Sequence, residues 1–414
     1  MTDEQTVSDP LARRAHVGME LGRRRGVLYV TEVEPDSPAA RARIQLEDRL
    51  IAVADEPVSD LVQVRRMMAR LPVGHASALT LRRAERSLRV EVVPEAMPLE
   101  TLASGRVELG QVAWRGQRLR TLWTWPEARG PHPVVWLLPG ASWLSEEHPT
   151  TPWYPTRKLI ELLSAAGFAT LRLERSGIGD SEGPPCTELD LEQELEIFRL
   201  GFGHVEREPR ARREQLFLFG RSLGGMLTAL LGAGARLAGA AVWGTSSARW
   251  HDGLLGSTMR QYRLSGLDEA ALLRLHQRLT DLQALIYLEG LTPEQAYQRR
   301  PDLRELLPTV YAGRYVYGRV AAYFHQLQAQ DLGAAFAAID APVLALHGGC
   351  DWLSELADLQ TIASLARRGE WAEIDGLDHL MHQRESLEAA FAQPFGGSFS
   401  DAAGRALVAF FRRC

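Results

Sequence analysis

A serine flanked by glycines two positions away on either side, Gly220-Arg221-Ser222-Leu223-Gly224, joins two segments of opposite character. Before it runs Leu216-Phe-Leu-Phe219, a continuous apolar stretch suited to a strand buried on both faces, and after it Met226-Leu-Thr-Ala-Leu-Leu231 suits a helix. A chain that turns this sharply from strand to helix brings other backbone close to both flanking positions, where any side chain would collide, so glycine is required. The turn lifts the serine hydroxyl above a sheet edge and sets it at a helix N-terminus, whose dipole favours developing negative charge.

The surrounding sequence supplies the sheet. Pro133-Val-Val-Trp-Leu-Leu138, Phe168-Ala-Thr-Leu-Arg-Leu173, Leu237-Ala-Gly-Ala-Ala-Val-Trp243 and Val343-Leu-Ala-Leu346 are further apolar runs, separated by helical patterns such as Pro155 to Ala166 and Leu189 to Leu200. Strands alternating with helices imply an α/β fold, a doubly wound and mainly parallel sheet. Val107–Val112 and Leu119–Trp125 flank Arg115-Gly116-Gln117 and predict a hairpin. Between Trp250 and Asp331 the alternation stops, and helices are expected over Leu267–Leu288, Pro293–Arg300 and Arg314–Gln328, a helical cap inserted at about 250–331. Its aromatics Tyr311, Tyr315, Tyr317, Tyr323 and Phe324 suit either helix packing, the commoner case, or an apolar acyl pocket.

A serine hydroxyl is a weak nucleophile that needs a base, itself oriented by a third group. Asp351 follows the run Val343–Leu346, and His379 closes Asp375-Gly-Leu-Asp-His379 after the short apolar segment Trp371–Ile374. Both leave strand C-terminal ends, where open α/β sheets keep their sites, in the chain order Ser, Asp, His. His382 is the rival base, while Asp378 and Asp252 suit solvated carboxylates and His347 suits packing or a loop hydrogen bond. On these motifs residues 105–414 resemble an α/β-hydrolase with a helical cap, which implies Ser222 as nucleophile, His379 as general base and Asp351 as its orienting acid. The resemblance also implies an oxyanion hole made by the N–H of Leu223 and, in Pro139-Gly140-Ala141-Ser142, that of Ala141.

Residues 15–95 are of another class, with short β-rich runs (Gly26–Val33, Arg49–Val53, Leu79–Arg82, Leu88–Val93) and an amphipathic helix over Leu61–Met68 after Ser59 as N-cap. The stretch GVLYVTEVEPDSPAARARIQLEDRLIAVADEPV resembles a PDZ domain of the bacterial protease-associated kind, although Glu47-Asp48 stands where such domains usually carry Gly-Asp. The resemblance implies that Val17-Gly18-Met19 is a carboxylate loop receiving the C-terminus of an extended peptide. Residues 1–14 are expected as a disordered N-terminus, and 96–104, which follows Pro94 and contains Pro98, as a linker. The module contributes nothing to the serine, acid and base, so the hydrolase part is expected to turn over small esters without it.

Composition narrows the partners. Charged residues make up 24% of 414, the formal charge is −5, and Lys158 is the only lysine among 47 basic residues, so nothing global points to nucleic acid. No apolar run is long enough to span a membrane, the first residues lack a leader pattern, and Cys186, Cys350 and Cys414 are widely spaced, which together suggest a cytoplasmic, reduced protein of undetermined oligomeric state. The glycines of 174–183 run into Pro184-Pro185 rather than into a helix, which argues against a nucleotide loop. Cys350, His379 and His382 lack the short paired spacing of a zinc site, so no metal or other cofactor is expected. The expected activity is cleavage of carboxylic esters of a small-molecule or acyl substrate through an acyl-serine. A peptidase or thioesterase is the alternative within the same chemistry, and a catalytically inert peptide-binding adaptor the alternative outside it.

Overall fold

The computed structural model describes residues 10–24, 26–306 and 315–414. The N-terminal domain contains strands β1 (Ala15–His16), β2 (Met19–Arg24), β3 (Val27–Val33), helix α1 (Pro38–Arg41), β4 (Arg49–Val53), β5 (Glu56–Pro57), helix α2 (Leu61–Ala69), β6 (Ser77–Arg83), β7 (Arg86–Val92) and β8 (Glu95–Ala96). An antiparallel sheet in the order β2-β3-β4-β6-β7, with β5 on β4, wraps a small core of Val30, Val53, Val64, Leu79 and Leu81. The N-cap of α2 is Asp60 and not Ser59: the Asp60 carboxylate accepts from Gln63 N–H, one residue later than expected, while Ser59 N–H donates to the Gln63 side chain. Glu47, where the PDZ resemblance implies glycine, adopts φ +66, a left-handed conformation that glycine favours.

The larger domain begins with the hairpin β9 (Arg106–Trp114) and β10 (Gln117–Trp125), whose two-residue turn holds Arg115 and Gly116 at positive φ. There follow β11 (His132–Leu138), α3 (Pro155–Ala165), β12 (Ala169–Leu173), α4 (Leu191–Arg207), β13 (Ala211–Arg221), α5 (Leu223–Gly232) and β14 (Gly239–Trp243). The cap consists of α6 (Trp250–Leu264), α7 (Glu269–Gln283) ending in a π turn, α8 (Pro293–Arg299), the small hairpin β15 (Tyr315–Val316) and β16 (Arg319–Val320), and α9 (Ala321–Ala329). The chain then completes α10 (Leu332–Ala337), β17 (Val343–Gly348), α11 (Leu356–Leu365), β18 (Gly369–Ile374), α12 (Leu387–Ala392) and α13 (Asp401–Phe411). Two details differ from expectation: residues 250–264 form a helix of their own, and the segment expected as one helix from 314 opens with a tight turn at Tyr317 and Gly318, both at positive φ.

Eight strands form one sheet in the order β18-β17-β14-β13-β11-β12-β10-β9. The six from β18 to β12 are mutually parallel, and β10 and β9 add an antiparallel edge. Residues of α3 and α13 bury one face with Ile160, Leu163, Leu407 and Phe411. The other face packs under α4, α5, α10 and α11 through Leu195, Phe198, Leu227, Phe336 and Ile362. The chain runs from β11 outward to β12 and then crosses to β13 on the opposite side of β11, so the winding reverses between β11 and β13. In open α/β sheets such a reversal is the place where the strand C-termini leave room for a site.

Residues 1–9 lie outside the description, but the expected disorder of the N-terminus does not hold for 10–14. Leu11 is buried, and Arg13 and Arg14 are ion-paired to the larger domain. Nor is 96–104 a free tether: Glu100 is buried against Arg172, Leu102 packs on the core, and Arg157 donates to the Thr101 carbonyl. Among the described residues no helix is long and apolar enough to cross a membrane.

Candidate active site

Ser222 lies at the sheet reversal, between the end of β13 and the first turn of α5, with φ 55° and ψ −126°. That conformation is costly for a side-chain-bearing residue and is held by its surroundings: Ser222 N–H donates to Trp243 O at 2.9 Å, and its carbonyl accepts from Gly225 N–H at 2.8 Å. A Cβ on Gly220 would lie 2.0 Å from Gly224 O, and one on Gly224 would lie 2.3 Å from Leu138 O. Both glycines are therefore obligatory, one because of the helix that follows and the other because of the end of β11.

Asp351 and His379 come from the loops after β17 and β18. His379 Nδ1–H donates to Asp351 Oδ2 at 2.8 Å, and the Asp351 carboxylate also accepts from the Leu353 and Ser354 N–H groups and the Ser354 hydroxyl. Burial pushes this carboxyl up, yet His379 and those donors outweigh it and hold Asp351 at about 2. An ionised Asp351 fixes the proton on Nδ1 and leaves Nε2 free to accept one, as a general base requires. A Cβ on Gly244 would fall 2.7 Å from Asp351 Oδ2 and 2.9 Å from His379 Nδ1, while Trp243, the residue before it, accepts from Ser222 N–H. The three residues thus follow the C-terminal ends of β13, β17 and β18, linked through Trp243 and Gly244 at the end of the intervening β14. The Asp–His contact is a hydrogen bond in this structure, and the Ser–His contact is not.

The rival groups have other partners. His382 lies in a turn built on Asp378, which is 1% exposed and accepts from the N–H groups of Leu380 and His382 and from Arg384 Nε. Asp378 is therefore a buried turn organiser and not a solvated carboxylate. Asp252 is exposed, and buried His347 meets Glu373 and Ser354 O, both as expected. Among the described residues no cluster of three metal-ligating side chains occurs.

Leu223 is the first residue of α5, where a helix N–H has no partner within the helix. Ala141 lies in the loop after β11, next to Gly140, whose Cβ would come within 3.7 Å of the Ser222 Cβ. That loop, 139–154, is pinned from behind by groups that no motif or spacing marks. Arg175 donates to Pro139 O (3.3 Å) and Gly140 O (2.8 Å) and pairs with Glu194, which also meets Arg319 of the cap. Arg172 donates to Glu146 O, and Glu174 accepts from the Ser145 hydroxyl and Glu146 N–H. The cap aromatics mostly pack: Phe324 stacks on Trp250 at 4.6 Å with Tyr317 at its edge, Tyr323 is fully buried, Tyr315 hydroxyl meets Glu188, and Tyr311 lies outside the described residues.

In the N-terminal domain, Val17 O accepts from Ala39 N–H, and Gly18 O accepts from Glu34 N–H and the Ser37 hydroxyl, while Met19 opens β2, half-buried. Gly18 has φ +74, and a Cβ there would lie 2.2 Å from the Ser37 Cβ. Glycine is required at this turn whatever it binds.

Residues 29–83 match a family model described as PDZ domain, and residues 153–386 one described as serine aminopeptidase, S33. No curated protein matches the sequence. Similar solved structures include Est1E from Butyrivibrio proteoclasticus, 14% identical with TM-score 0.47 over 75% of this chain and 98% of that one. The α/β hydrolase GrgF from Penicillium sp. sh18 is 17% identical with TM-score 0.47 over 74% of this chain and 98% of that one. An esterase domain from Rhodothermus marinus is 16% identical with TM-score 0.44 over 74% and 98%.

Proposed function

The chain belongs to the serine aminopeptidase S33 family of α/β-hydrolases and carries an N-terminal PDZ domain, and from that premise we propose that it is a serine hydrolase that cleaves carboxylic esters through an acyl-serine. The observation that carries the reading is the strained Ser222 at the sheet reversal, beside a buried Asp351–His379 pair whose polarity leaves Nε2 free. Ser222 Oγ attacks the acyl carbon while its proton passes to His379 Nε2, and the oxyanion is held by the N–H groups of Leu223 and Ala141. Collapse breaks the bond to the leaving group, which takes the proton from His379. Water then repeats the sequence to release the acid and restore Ser222. Asp351 stays ionised throughout and stabilises the imidazolium.

An acyl-enzyme forms equally from esters, thioesters and amides, and the family's description refers to an aminopeptidase. A panel of p-nitrophenyl esters, acyl thioesters and aminoacyl anilides, run with wild type and Ser222→Ala, tests the reading. Ester turnover that vanishes in Ser222→Ala supports it. Turnover of anilides alone would make the protein a peptidase, and turnover of nothing would leave the inert adaptor. For the PDZ domain we propose binding of peptides with a free apolar C-terminus at Val17-Gly18-Met19, supported by the half-buried Met19, Leu21 and Met68 packed against its core.

A further inference from the structure

Two arginines in the arm before β1 reach into the hydrolase. Arg13 donates to Asp180 and, at 2.8 Å, to Glu147, while its Nε and Nη2 also hold Met97 O and Pro98 O. Arg14 donates through Nη1 to Glu147 at 2.9 Å, and its backbone N–H donates to Asp180 at 2.8 Å. Both carboxylates have no exposed side-chain surface, so they depend on these partners and, for Asp180, on Arg120. Glu147 belongs to the loop after β11 that carries Gly140 and Ala141, and Asp180 to the glycine-rich loop after β12. Further anchors of the first loop come from the larger domain, through Arg175, Arg172, Glu174 and Arg157, and from the segment leading into it, through Glu100, which accepts from His148 N–H.

We propose, building on the reading of Ser222 as nucleophile, that Arg13 and Arg14 are positioning residues for hydrolysis: they lock the oxyanion loop through Glu147, so that the active site is complete only with the arm that leads into the PDZ domain. Arg14 also faces Glu174, the carboxylate holding Ser145 and Glu146 N–H, since a Cβ on Gly179 would touch both Glu174 Oε1 (2.6 Å) and Arg14 Nη1 (3.3 Å). Burial raises Glu174 to about 7, against the pull of Arg14 and the Ser145 hydroxyl and with the push of the Glu146 carboxylate. Loss of the Arg14 charge therefore favours protonation of Glu174, which turns one of the two oxygens that accept from this loop into a donor.

The test uses the full chain. Arg14→Gln and Arg13→Gln/Arg14→Gln are assayed on p-nitrophenyl acetate at a temperature where each remains folded by near-UV circular dichroism, with Arg86→Gln, an exposed arginine of the same domain, as control. The expected result is a kcat about ten- to a hundredfold lower at little-changed KM, the scale of a misplaced transition-state donor. The rate of fluorophosphonate labelling should fall in parallel, and Arg86→Gln should match wild type. The acid-side midpoint of kcat should move to higher pH in Arg14→Gln, a shift that a general loss of stability does not produce. Arg14→Lys, which keeps the charge, should restore the midpoint and serves if the double variant fails to fold. Wild-type kcat and midpoint in folded Arg14→Gln would overturn the positioning role alone. A wild type that is neither labelled nor active would overturn the hydrolase reading beneath it.

Discussion

His379 and His382 are three residues apart and both buried, yet their ring nitrogens meet different chemistry. His379 is oriented by an ionised carboxylate, whereas His382 Nδ1 finds no hydrogen-bond partner and lies 3.8 Å from Asp378. Desolvation lowers His382 below the ordinary histidine range, against the pull of Asp378. His379→Ala should therefore cut kcat by about 10⁴- to 10⁶-fold, and His382→Ala by on the order of tenfold or less, as measured on the same ester. A dead His382 variant would show that the base is misassigned. Because the folded Asp351 lies near 2, below its unfolded value, its stabilising contribution is present above pH ~4 and fades only as the pH falls toward 2. The pH profile of kcat/KM should accordingly show no inflection from Asp351 above about pH 3, and the acid limb must come from other groups.

At the scale of elements, the turn at Ser222 and the anchoring of the segment before β9 carry separable predictions. Gly224→Ala would drive a methyl group against the end of β11 and should cost about 1–3 kcal/mol of stability, read by thermal melting, with a loss of labelling at Ser222. Glu100 and Arg172 form a 2.6 Å pair with no exposed side-chain surface. Glu100→Ala leaves Arg172 buried and unpaired and should cost about 3–5 kcal/mol, whereas an exposed pair such as Arg115–Glu196 should cost under about 1. The two cases also divide what the sequence made legible. The elbow could be read because its constraints are local: a strand, a turn and a helix share one short stretch, and the glycines follow from it. Asp351 and His379 were legible by the same logic, as polar residues leaving apolar strands. The arm and the Glu100 anchor were not, because their partners lie far along the chain, 167 residues away for Arg13 and Asp180, and an arginine among 47 basic residues carries no mark of the carboxylate it will meet.

For the whole molecule, those long-range pairs change the expected division of labour. A chain beginning near Thr101 would lose Arg13, Arg14 and Glu100 together, so it should be less stable and a poorer catalyst, contrary to the independence suggested by the proline-bearing segment. Peptide binding at Val17-Gly18-Met19 would take place three residues beyond Arg14, close to the oxyanion loop's outer anchor. Hydrolysis would nevertheless depend first on Ser222. Its most direct test is intact-mass and peptide-mapping mass spectrometry of the full chain treated with a fluorophosphonate. The predicted result is a single adduct on the peptide bearing Ser222, absent in Ser222→Ala and strongly slowed in His379→Ala; an adduct on another residue, or none on a folded protein, would contradict it.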